Sequence, residues 1–560
     1  MTIRPRTGGQ ILVDQLIVHG VDHLFCVPGE SYLAVLDALH DAAIAVTICR
    51  QEGGAAMMAE AYGKLTGRPG ICFVTRGPGA TNASPGIHIA MQDSTPLILF
   101  VGQVDSAMKE REAFQELDYR AVFGTMAKWV TDIADPARLP ELISRAFHVA
   151  TSGRPGPVVI ALPEDMLTES ASVADALPYE AVETHPALGQ MAELQKLIWA
   201  ATRPVAILGG SRWSAQAVQR FARFAERFAL PVTTSFRRQM LFPADHPAYA
   251  GDCGIGPNPK LLARLKDADL VLLVGGRMSE MPSQSYTLFD VPTPRQPLVH
   301  VHPDAGELGR VYRPHLAINA SPIAFSAALE GVQPPHEIPW AEETRKAHAE
   351  FLAWTDPAVV HPPGRFRMNE AMAHLRRTLP ADTIICNGAG NFAVWAHRFW
   401  HYRHYGTQLA PTSGSMGYGV PAAVGAKRMF PDRTVVCLAG DGDFLMNGQE
   451  FATAVQYELP LVVILLDNGM YGTIRMHQER EYPGRVVATA LKNPDFAAYA
   501  RAFGGFGALV EKTEDFAKAF QDAKASGKPA IIHMKVDPEA ITPSTTLHAI
   551  RDKALKAESR

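Results

Sequence analysis

The sequence has few cysteines, no long apolar run and no surplus of charge of one sign. Its six cysteines among 560 residues are scattered and form no CxxC pair. That spacing argues against structural zinc and favours reduced, mostly buried thiols in a cytoplasmic protein. Because no run of about 18 apolar residues occurs, a membrane span is not expected. Residues 1–16 interrupt their apolar stretch with Gly, Gln and Asp, so a secretory signal is not expected either.

The charges nearly balance, with 53 Lys and Arg against 57 Asp and Glu and a net charge of −4. A nucleic-acid-binding protein would show a basic surplus, so nucleic acid is not an expected partner. Hydrophobic residues make up 47% and charged residues 20% of the chain, which is typical of a globular protein. The length is sufficient for several domains.

Short apolar runs alternate with segments of helical periodicity along most of the chain. Continuous apolar runs are typical of strands buried on both faces of a parallel sheet. Residues 54–65 and 216–228 carry apolar side chains at helical spacing. The alternation predicts an α/β fold of parallel sheets flanked by helices. The predicted strands include 23–27, 71–74, 96–102, 157–162, 204–210, 270–276, 434–440 and 459–468.

Two stretches rich in proline and polar residues, 169–190 and 332–366, have weak periodicity and are predicted to be linkers. They divide the chain into three blocks and a tail. The tail is expected to form either a short helix or a frayed terminus. The blocks are 1–170, 188–335 and 365–540, and the tail is 541–560.

Polar residues follow two predicted strands of the third block. Asp441 and Asp443, within a Gly-Asp-Gly-Asp sequence, follow the strand at 434–440, and Asn468 follows the strand at 459–468. A strand–helix–strand unit brings such residues to neighbouring strand ends, where open α/β sheets bind ligands. Carboxylate, amide and backbone oxygens are ligands that Mg²⁺ prefers. An ordinary Gly-Asp turn is the alternative, and the Asn at the next strand end favours the metal site.

This segment resembles the thiamine-diphosphate motif, which opens with GDG and closes with Asn. The three blocks look like the pyrimidine-binding, central Rossmann-like and diphosphate-binding domains of thiamine-diphosphate-dependent enzymes. The resemblance covers nearly the whole chain and is greatest to acetolactate (acetohydroxyacid) synthases. It implies that Asp441, Asn468 and the backbone oxygen of Met470 hold Mg²⁺. It implies a cofactor site that includes Gly442, Asp443, Asn468, Met470 and Tyr471.

Glu52 follows the apolar run IAVTIC and opens a predicted helix. Taken alone, a Glu at this position is most often a capping residue that interacts with the helix dipole. The resemblance instead implies that Glu52 hydrogen-bonds N1′ of the aminopyrimidine ring and promotes removal of the thiazolium C2 proton.

The resemblance extends the expected cofactor site to several loops. Met416 lies in the glycine-rich segment 413–421, and it would support the cofactor from below in a V shape, a role suited to a large soft side chain. A glycine-rich turn before a helix is the alternative for this segment. The remaining implied cofactor residues are Pro28, Gly29 and Asn82 on the pyrimidine side and Asn391 on the diphosphate side.

The segment Ala113–Glu116 resembles the part of acetolactate synthases that borders the reaction centre. It implies catalytic roles for Phe114 and Gln115, and the same resemblance places Lys128 on the substrate side. A surface lysine is the alternative for Lys128. Gln115 could orient a substrate oxygen without titrating. His477 stands where anabolic relatives have a Trp, so a different substrate pocket is expected.

In the central block, residues 275–283 resemble a segment that lies near FAD in anabolic acetolactate synthases. Arg277 is kept, but Met281 replaces the second Arg of that segment. FAD, another nucleotide and an empty vestigial fold are all compatible with this pattern.

The resemblance therefore implies an enzyme dependent on thiamine diphosphate and Mg²⁺. It would decarboxylate a pyruvate-like 2-keto acid and join the resulting enamine to a second carbonyl compound. A homodimer or homotetramer, with or without a regulatory subunit, is the expected assembly. A 2-keto acid decarboxylase or acyloin lyase without carboligation is the first alternative. A non-catalytic nucleotide-binding protein is a remote one.

Overall fold

The computed structural model describes residues 4–558. These residues form three six-stranded parallel sheets and one two-stranded antiparallel ribbon. The three sheets, each flanked by helices, confirm the predicted α/β class. The chain divides into two compact units. The first runs to Val182 and includes Val424–Met429, and the second comprises Glu183–Ala423 and the residues from Phe430 onward.

The first unit contains the first large sheet. Its strands are β1 (Arg6–Thr7), β2 (His23–Cys26), β3 (Ala45–Ile48), β4 (Gly70–Val74), β5 (Leu97–Gln103), β6 (Trp129–Asp132), β7 (Pro157–Pro163) and β8 (Ser170–Ala171). Its helices are α1 (Gly8–Val18), α2 (Leu33–His40), α3 (Glu52–Thr66), α4 (Gly77–Asp93), α5 (Tyr119–Phe123), α6 (Leu139–Thr151) and α7 (Glu164–Thr168). The sheet order is β3-β2-β4-β5-β7-β6, and β1 pairs with β8 in the ribbon.

Small residues allow α3 and α4 to pack closely on this sheet. A Cβ atom on Gly86 of α4 would lie 2.4 Å from the Cβ atom of Ala56 on α3. Strands β4, β5 and β7 are buried along their whole length, as their continuous apolar runs predict. This packing fixes the beginnings of α3 and α4 at the carboxyl ends of the strands.

The second unit begins with the central sheet. Its strands are β9 (Pro204–Leu208), β10 (Val232–Thr234), β11 (Tyr249–Asp252), β12 (Leu270–Val274), β13 (Leu298–Val301) and β14 (Leu316–Ile318). Its helices are α8 (Leu188–Ala200), α9 (Ala215–Arg227), α10 (Pro259–Asp267), α11 (Pro322–Ala328) and α12 (Ala341–Trp354). The strand order is β11-β10-β9-β12-β13-β14.

The third sheet lies in the same unit. Its strands are β15 (Ile384–Asn387), β16 (Gln408–Leu409), β17 (Val435–Gly440), β18 (Val462–Asp467), β19 (Phe506–Val510) and β20 (Ala530–Lys535). Its helices are α13 (Met368–Thr378), α14 (Phe392–Phe399), α15 (Gly419–Met429), α16 (Asp441–Asn447), α17 (Glu450–Gln456), α18 (Gly472–Glu481), α19 (Phe496–Ala502), α20 (Thr513–Ala525) and α21 (Leu547–Glu558). Of α15, the residues Val424–Met429 are assigned to the first unit. The order β16-β15-β17-β18-β20-β19 makes β17 and β18 neighbours.

Three segments refine the sequence-based expectations. The predicted linker at 332–366 contains the 14-residue helix α12, which buries Thr344, Ala347 and Phe351 at helical spacing. The helix expected between Asp441 and Asn468 is interrupted at Gly448, because Asn447 and Gly448 are poor helix formers. The tail forms helix α21, the first of its two expected alternatives.

All six cysteines are free thiols buried in the protein. No helix between residues 4 and 558 is long and apolar enough to cross a membrane.

Candidate active site

Asp441 lies at the beginning of α16, immediately after β17, and its carboxylate is held from three sides. Oδ1 accepts a hydrogen bond from the backbone N–H of Gly442 at 2.9 Å. Oδ2 accepts one from the backbone N–H of Gly469 at 2.9 Å and one from Nδ2 of Asn493 at 2.6 Å. The bond to Gly469 ties Asp441 to the loop after β18, which carries Asn468. Residues 27 apart in sequence are therefore brought to the same edge of the sheet.

A second carboxylate, Asp467 at the end of β18, supports this arrangement. Its Oδ1 accepts from Nδ2 of Asn493 at 2.7 Å, and its Oδ2 contacts Nε2 of His533 at 2.8 Å and the ammonium of Lys535. Burial disfavours the charge on Asp467, but these hydrogen bonds outweigh burial and hold its pKa well below the usual range. Burial, together with the charge of Asp467, raises the pKa of Asp441. Asp467 is thus the firmly ionised member of the pair.

Asp443 is buried and organises the glycine-rich turns around it. Its Oδ1 accepts hydrogen bonds from the backbone N–H groups of Ala389 at 3.0 Å and Gly417 at 2.9 Å. A Cβ atom on Gly388 would lie 2.1 Å from this oxygen, so the close approach requires glycine there. Burial raises the pKa of Asp443 to about 7, although the two N–H groups oppose this shift. Asp443 therefore joins the loop after β15, the 413–421 turn and the start of α16.

A cavity of about 240 Å³ opens beside these carboxylates. Met416, Met470 and Tyr471 line it together with apolar residues from α14 and from the segment around Ile541. Asn391 also lines it and exchanges hydrogen bonds with Thr473 of α18, its Oδ1 accepting from Oγ1 at 3.1 Å. The predicted residues of the diphosphate side that line the cavity are Asn391, Met416, Asp441, Asp443, Asn468, Met470 and Tyr471.

The oxygen donors of this edge suit a hard divalent cation. Asp441 and Asn468 both line the cavity, and Oδ1 of Asn468 accepts from the backbone N–H of Met470 at 3.2 Å, which closes a tight turn. Among residues 4–558 no group of three or more His, Cys, Asp or Glu side chains could hold a metal ion. The candidate set is different in kind, because it combines one carboxylate with an amide and a backbone oxygen. These oxygen donors fit a hard divalent cation such as Mg²⁺.

In the first unit, Glu52 begins α3, and three residues separate it from the end of β3. Its Oε2 accepts a hydrogen bond from Nδ2 of Asn82 on α4 at 3.0 Å. A Cβ atom on Gly79 would lie 3.4 Å from Oε1, so the absence of a side chain there leaves space beside the carboxylate. The predicted pair of Glu52 and Asn82 is therefore in direct contact.

Pro28 and Gly29 follow β2, the strand between β3 and β4. A Cβ atom on Gly29 would lie 2.5 Å from Cβ of Thr75, which follows β4. The two predicted pyrimidine-side loops are thus packed against each other at the same sheet edge as Glu52. Their contact explains the glycine at this position.

Gln115 lies in a turn anchored to the beginning of α4. Its carbonyl oxygen accepts from the backbone N–H of Gly77 at 2.9 Å, and its φ of 65° lies in the left-handed region. Its side-chain Oε1 is buried without a hydrogen-bond partner among the described residues. The neighbouring Phe114 is 73% exposed, which is unusual for a large apolar side chain. A strained turn with an unsatisfied acceptor is typical of functional sites.

Lys128 lies between α5 and β6, and its ammonium group points to the end of α6. It donates to the backbone carbonyl of Val149 and, at 2.7 Å, to that of Ser152. A cation at a helix C-terminus is favourable because it interacts with the terminal carbonyls and the helix dipole. The structure therefore gives Lys128 a helix-capping contact, and its role on the substrate side stays a prediction.

The predicted residues form two groups, one in each unit. The first comprises Pro28, Gly29, Glu52, Asn82 and the turn with Gln115, and the second surrounds the cavity beside Asp441. Sequence reasoning did not identify Asn493, His533 or Lys535, which hold Asp441 and Asp467 in place. Asn493 follows no strand and belongs to no recognisable spacing, so only the fold reveals its position.

Comparisons with known proteins identify the family of the chain. Models of the N-terminal TPP binding domain, the central domain and the C-terminal TPP binding domain of thiamine pyrophosphate enzymes match residues 6–122, 191–329 and 388–534. The acetolactate synthase isozyme 2 large subunit of Escherichia coli (strain K12) is 31% identical over 534 residues, with 95% of each chain covered. The chain belongs to the thiamine pyrophosphate enzyme family. Its matched regions contain Glu52 in the first model and Asp441 and Asn468 in the last.

Further relatives of this thiamine pyrophosphate enzyme carry similar names. The acetolactate synthase large subunit of Parasynechococcus marenigrum (strain WH8102) is 32% identical over 95% of this chain and 87% of its own length. A probable acetolactate synthase large subunit of Methanocaldococcus jannaschii is 30% identical over 96% of this chain and 93% of its own length. The resemblance to acetolactate synthases is therefore confirmed over nearly the whole chain.

Proposed function

We propose that the enzyme uses thiamine diphosphate and Mg²⁺ to decarboxylate a pyruvate-like 2-keto acid and to join the two-carbon product to a second carbonyl compound. The observation that carries this proposal is the hydrogen bond from Gly469 to Asp441, which places the Asn468 loop beside a carboxylate at the edge of a cavity. Together with Glu52 in the first unit, this arrangement supplies the groups that such chemistry needs.

In this proposal Asp441, Asn468 and the backbone oxygen of Met470 hold Mg²⁺. Gly442, Asp443 and Tyr471 contact the diphosphate, while Met416 and Asn391 border the cofactor. When bound, thiamine diphosphate supplies a carbon nucleophile and an electron sink for the loss of CO₂.

Glu52 would share a proton with N1′ of the aminopyrimidine, and Asn82 would hold the Glu52 carboxylate in place. Pro28 and Gly29 would form part of the pyrimidine pocket. On the substrate side, Oε1 of Gln115 is available to accept a hydrogen bond, and Phe114 would exclude water from the reacting carbon. Lys128 is included on the substrate side only by resemblance.

The test is to incubate purified enzyme with thiamine diphosphate, Mg²⁺ and pyruvate, and to identify the products by NMR. Acetolactate is the expected product. Loss of pyruvate that yields only acetaldehyde would replace the proposal by the decarboxylase alternative. No pyruvate consumption by enzyme that binds the cofactor would reject pyruvate as the donor.

The decarboxylase or lyase alternative is favoured by one region, the α18 segment that faces the cavity. Thr473 and Ile474 line the cavity there, and His477 is exposed on the same helix, where its ring contacts the guanidinium of Arg480. A changed acceptor pocket could favour protonation of the two-carbon unit over carboligation. Comparison of acyloin and aldehyde yields with a series of 2-keto acids distinguishes the two reactions.

We further propose a homodimer or homotetramer in which each active site combines two subunits. Exposed apolar side chains support this, because Phe114 is 73%, Val487 69% and Tyr482 66% exposed. Coexpression of Glu52→Gln and Asp441→Asn subunits tests the sharing of sites. If sites are shared, a mixed dimer contains one intact site out of two. Because random pairing makes about half of the dimers mixed, the coexpressed population should regain about a quarter of full activity. If each chain has its own complete site, the mixture stays inactive.

Two further partners belong to this proposal. A small regulatory subunit fits a chain whose relatives are named large subunits. For the central domain, FAD, another nucleotide and an empty fold are distinguished by the visible absorption of the purified enzyme and by mass spectrometry of the released ligand.

A further inference from the structure

A groove of about 900 Å³ lies between α13, the preceding segment 356–367 and the beginning of α20, within the second unit. Its volume falls in the range of about 300–1,000 Å³ found for small-molecule sites. It shares no lining residue with the cavity beside Asp441. Four arginines and two histidines line the groove against three acidic side chains, and burial and Arg377 lower the pKa of His374. The basic residues are His361, Arg365, Arg367, His374, Arg376 and Arg377, and the acidic ones are Asp356, Glu370 and Glu514.

The positive charge of the groove is only partly neutralised. Arg367 pairs with Glu370 at 2.9 Å. The side chains of Arg365 and Arg377 have no hydrogen-bonding or oppositely charged partner among residues 4–558. Arg376 donates hydrogen bonds to the backbone carbonyls of Thr355 and Phe399. Burial lowers the pKa of Arg376, Asp356 opposes this effect, and Arg377 adds a smaller contribution to it. The groove therefore presents two guanidinium groups, those of Arg365 and Arg377, with which a bound anion can pair.

The walls of the groove are fixed by backbone contacts. Thr513 at the beginning of α20 donates its N–H to the carbonyl of Arg365 at 3.2 Å and accepts the N–H of Arg367 through Oγ1 at 2.8 Å. On the opposite side, Nδ2 of Asn369 donates to the carbonyls of Pro357 and Val360 at 2.9 and 2.8 Å. A site with fixed walls loses little conformational entropy when a ligand binds.

We propose that this groove binds a small molecule that carries a di- or triphosphate chain, such as a nucleoside diphosphate. Each guanidinium can donate two parallel hydrogen bonds to one anionic group, so a single carboxylate would satisfy only one of the unpaired arginines. A phosphate chain presents several oxygens and can contact Arg365 and Arg377 together. The buried side chains of Val360 and Phe516 provide an apolar wall for the remainder of the ligand.

The test is calorimetric titration of the enzyme, saturated with thiamine diphosphate and Mg²⁺, with ADP and separately with tripolyphosphate. Saturation of the cofactor site keeps the probes from binding there. The groove variant is Arg365→Ser with Arg377→Ser. Its control is Arg310→Ser with Arg345→Ser, which removes the same charge from exposed side chains elsewhere.

We expect saturable binding that weakens about tenfold or more in the groove variant and stays unchanged in the control. Equal affinity for tripolyphosphate and ADP would identify the phosphate chain as the recognised group, and preference for ADP would add a nucleoside contact. Absence of saturable binding, or equal affinity in the groove variant, overturns the proposal. An unchanged melting temperature shows that the groove variant is folded. The assay measures binding, so its result is independent of whether the proposed carboligation is correct.

Discussion

Asn82 donates a hydrogen bond from its Nδ2 to Oε2 of Glu52 at 3.0 Å, and so connects the beginning of α3 with the second turn of α4. This contact orients the carboxylate proposed to share a proton with the cofactor. The role of this carboxylate is testable, because Glu52→Gln removes its charge and keeps the size of the side chain.

Replacement Glu52→Gln keeps the side-chain shape but removes the proton acceptor. We expect kcat to fall by about 10²–10⁴, the usual contribution of a general acid–base group, while the affinity for Mg²⁺ is retained. Steady-state rates with pyruvate and NMR exchange of the thiazolium C2 proton in D₂O measure this. Glu141→Gln serves as the control, because Glu141 forms an exposed ion pair with Arg138. This substitution should leave kcat unchanged. Normal activity of Glu52→Gln would remove this residue from the mechanism.

Asn493 bridges Asp441 and Asp467 through one amide nitrogen, at 2.6 and 2.7 Å. We therefore expect Asn493→Ala to raise the Mg²⁺ concentration that gives half-maximal activity by about 10–100-fold, as is common for residues that orient metal ligands. Activity titrated with Mg²⁺ at saturating thiamine diphosphate checks this. Excess Mg²⁺ should restore most of kcat, since Asn493 acts through Asp441. A fall in kcat that Mg²⁺ does not restore would contradict the positioning role. Asn319→Ala, which removes an amide bonded to His302 in the central domain, is the control.

The fold and the residues that directly follow two strands of the third sheet were predictable from the sequence. Asp441 and Asn468 follow continuous apolar runs, and that pattern alone places them at neighbouring strand ends. Glu52 became a catalytic candidate only through the family resemblance, because a Glu at a helix start is usually a cap.

Other parts of the site could not be read from sequence because they depend on tertiary contacts. His533 and Lys535 lie on β20 and Asn493 precedes α19, and these two segments meet the end of β18 only when β18 pairs with β20. The basic groove combines α13 with α20, which are separated by more than 130 residues. Local sequence periodicity does not indicate contacts between segments so far apart in the chain.

Glu479 on α18 connects this helix with the C-terminal helix α21. Its fully buried side chain accepts hydrogen bonds from Arg475 and Arg551 and from the backbone N–H of Gly484. Hydrogen bonds from Arg551 lower the pKa of Glu479 to about 2 even though burial opposes this. The ionised form is thus favoured in the folded state. Its contribution to stability is complete above the unfolded-state pKa of about 4.3 and is lost as the pH falls towards about 2.

We expect Glu479→Gln to destabilise the docking of α21 by about 2 kcal/mol at pH 7, since two arginines lose a charged partner. The difference from wild type should shrink between about pH 4.3 and pH 2. Hydrogen exchange of the backbone amides of α21 (Leu547–Glu558) measures this loss of stability. Glu481→Gln is the matched control, because Glu481 pairs with its exposed neighbour Arg480. Equal exchange in both variants at pH 7 would show that Glu479 does not hold the helix.

Lys128 has two competing roles, which one substitution separates. The ammonium group donates to the carbonyls of Val149 and Ser152 at the end of α6, whereas family resemblance places the residue beside the substrate. Because these hydrogen bonds satisfy two carbonyls at the end of α6, we expect Lys128→Met to lower the free energy of unfolding by about 1–3 kcal/mol.

In that case kcat/KM for pyruvate should stay close to the wild-type value when measured well below the melting temperature. Lys196→Met, at an exposed surface ion pair, should change neither quantity. The opposite pattern, with kcat/KM strongly reduced and stability unchanged, would assign Lys128 to the substrate. The ammonium group would then have to leave the end of α6 when substrate binds, because one cation cannot satisfy both sets of acceptors at once.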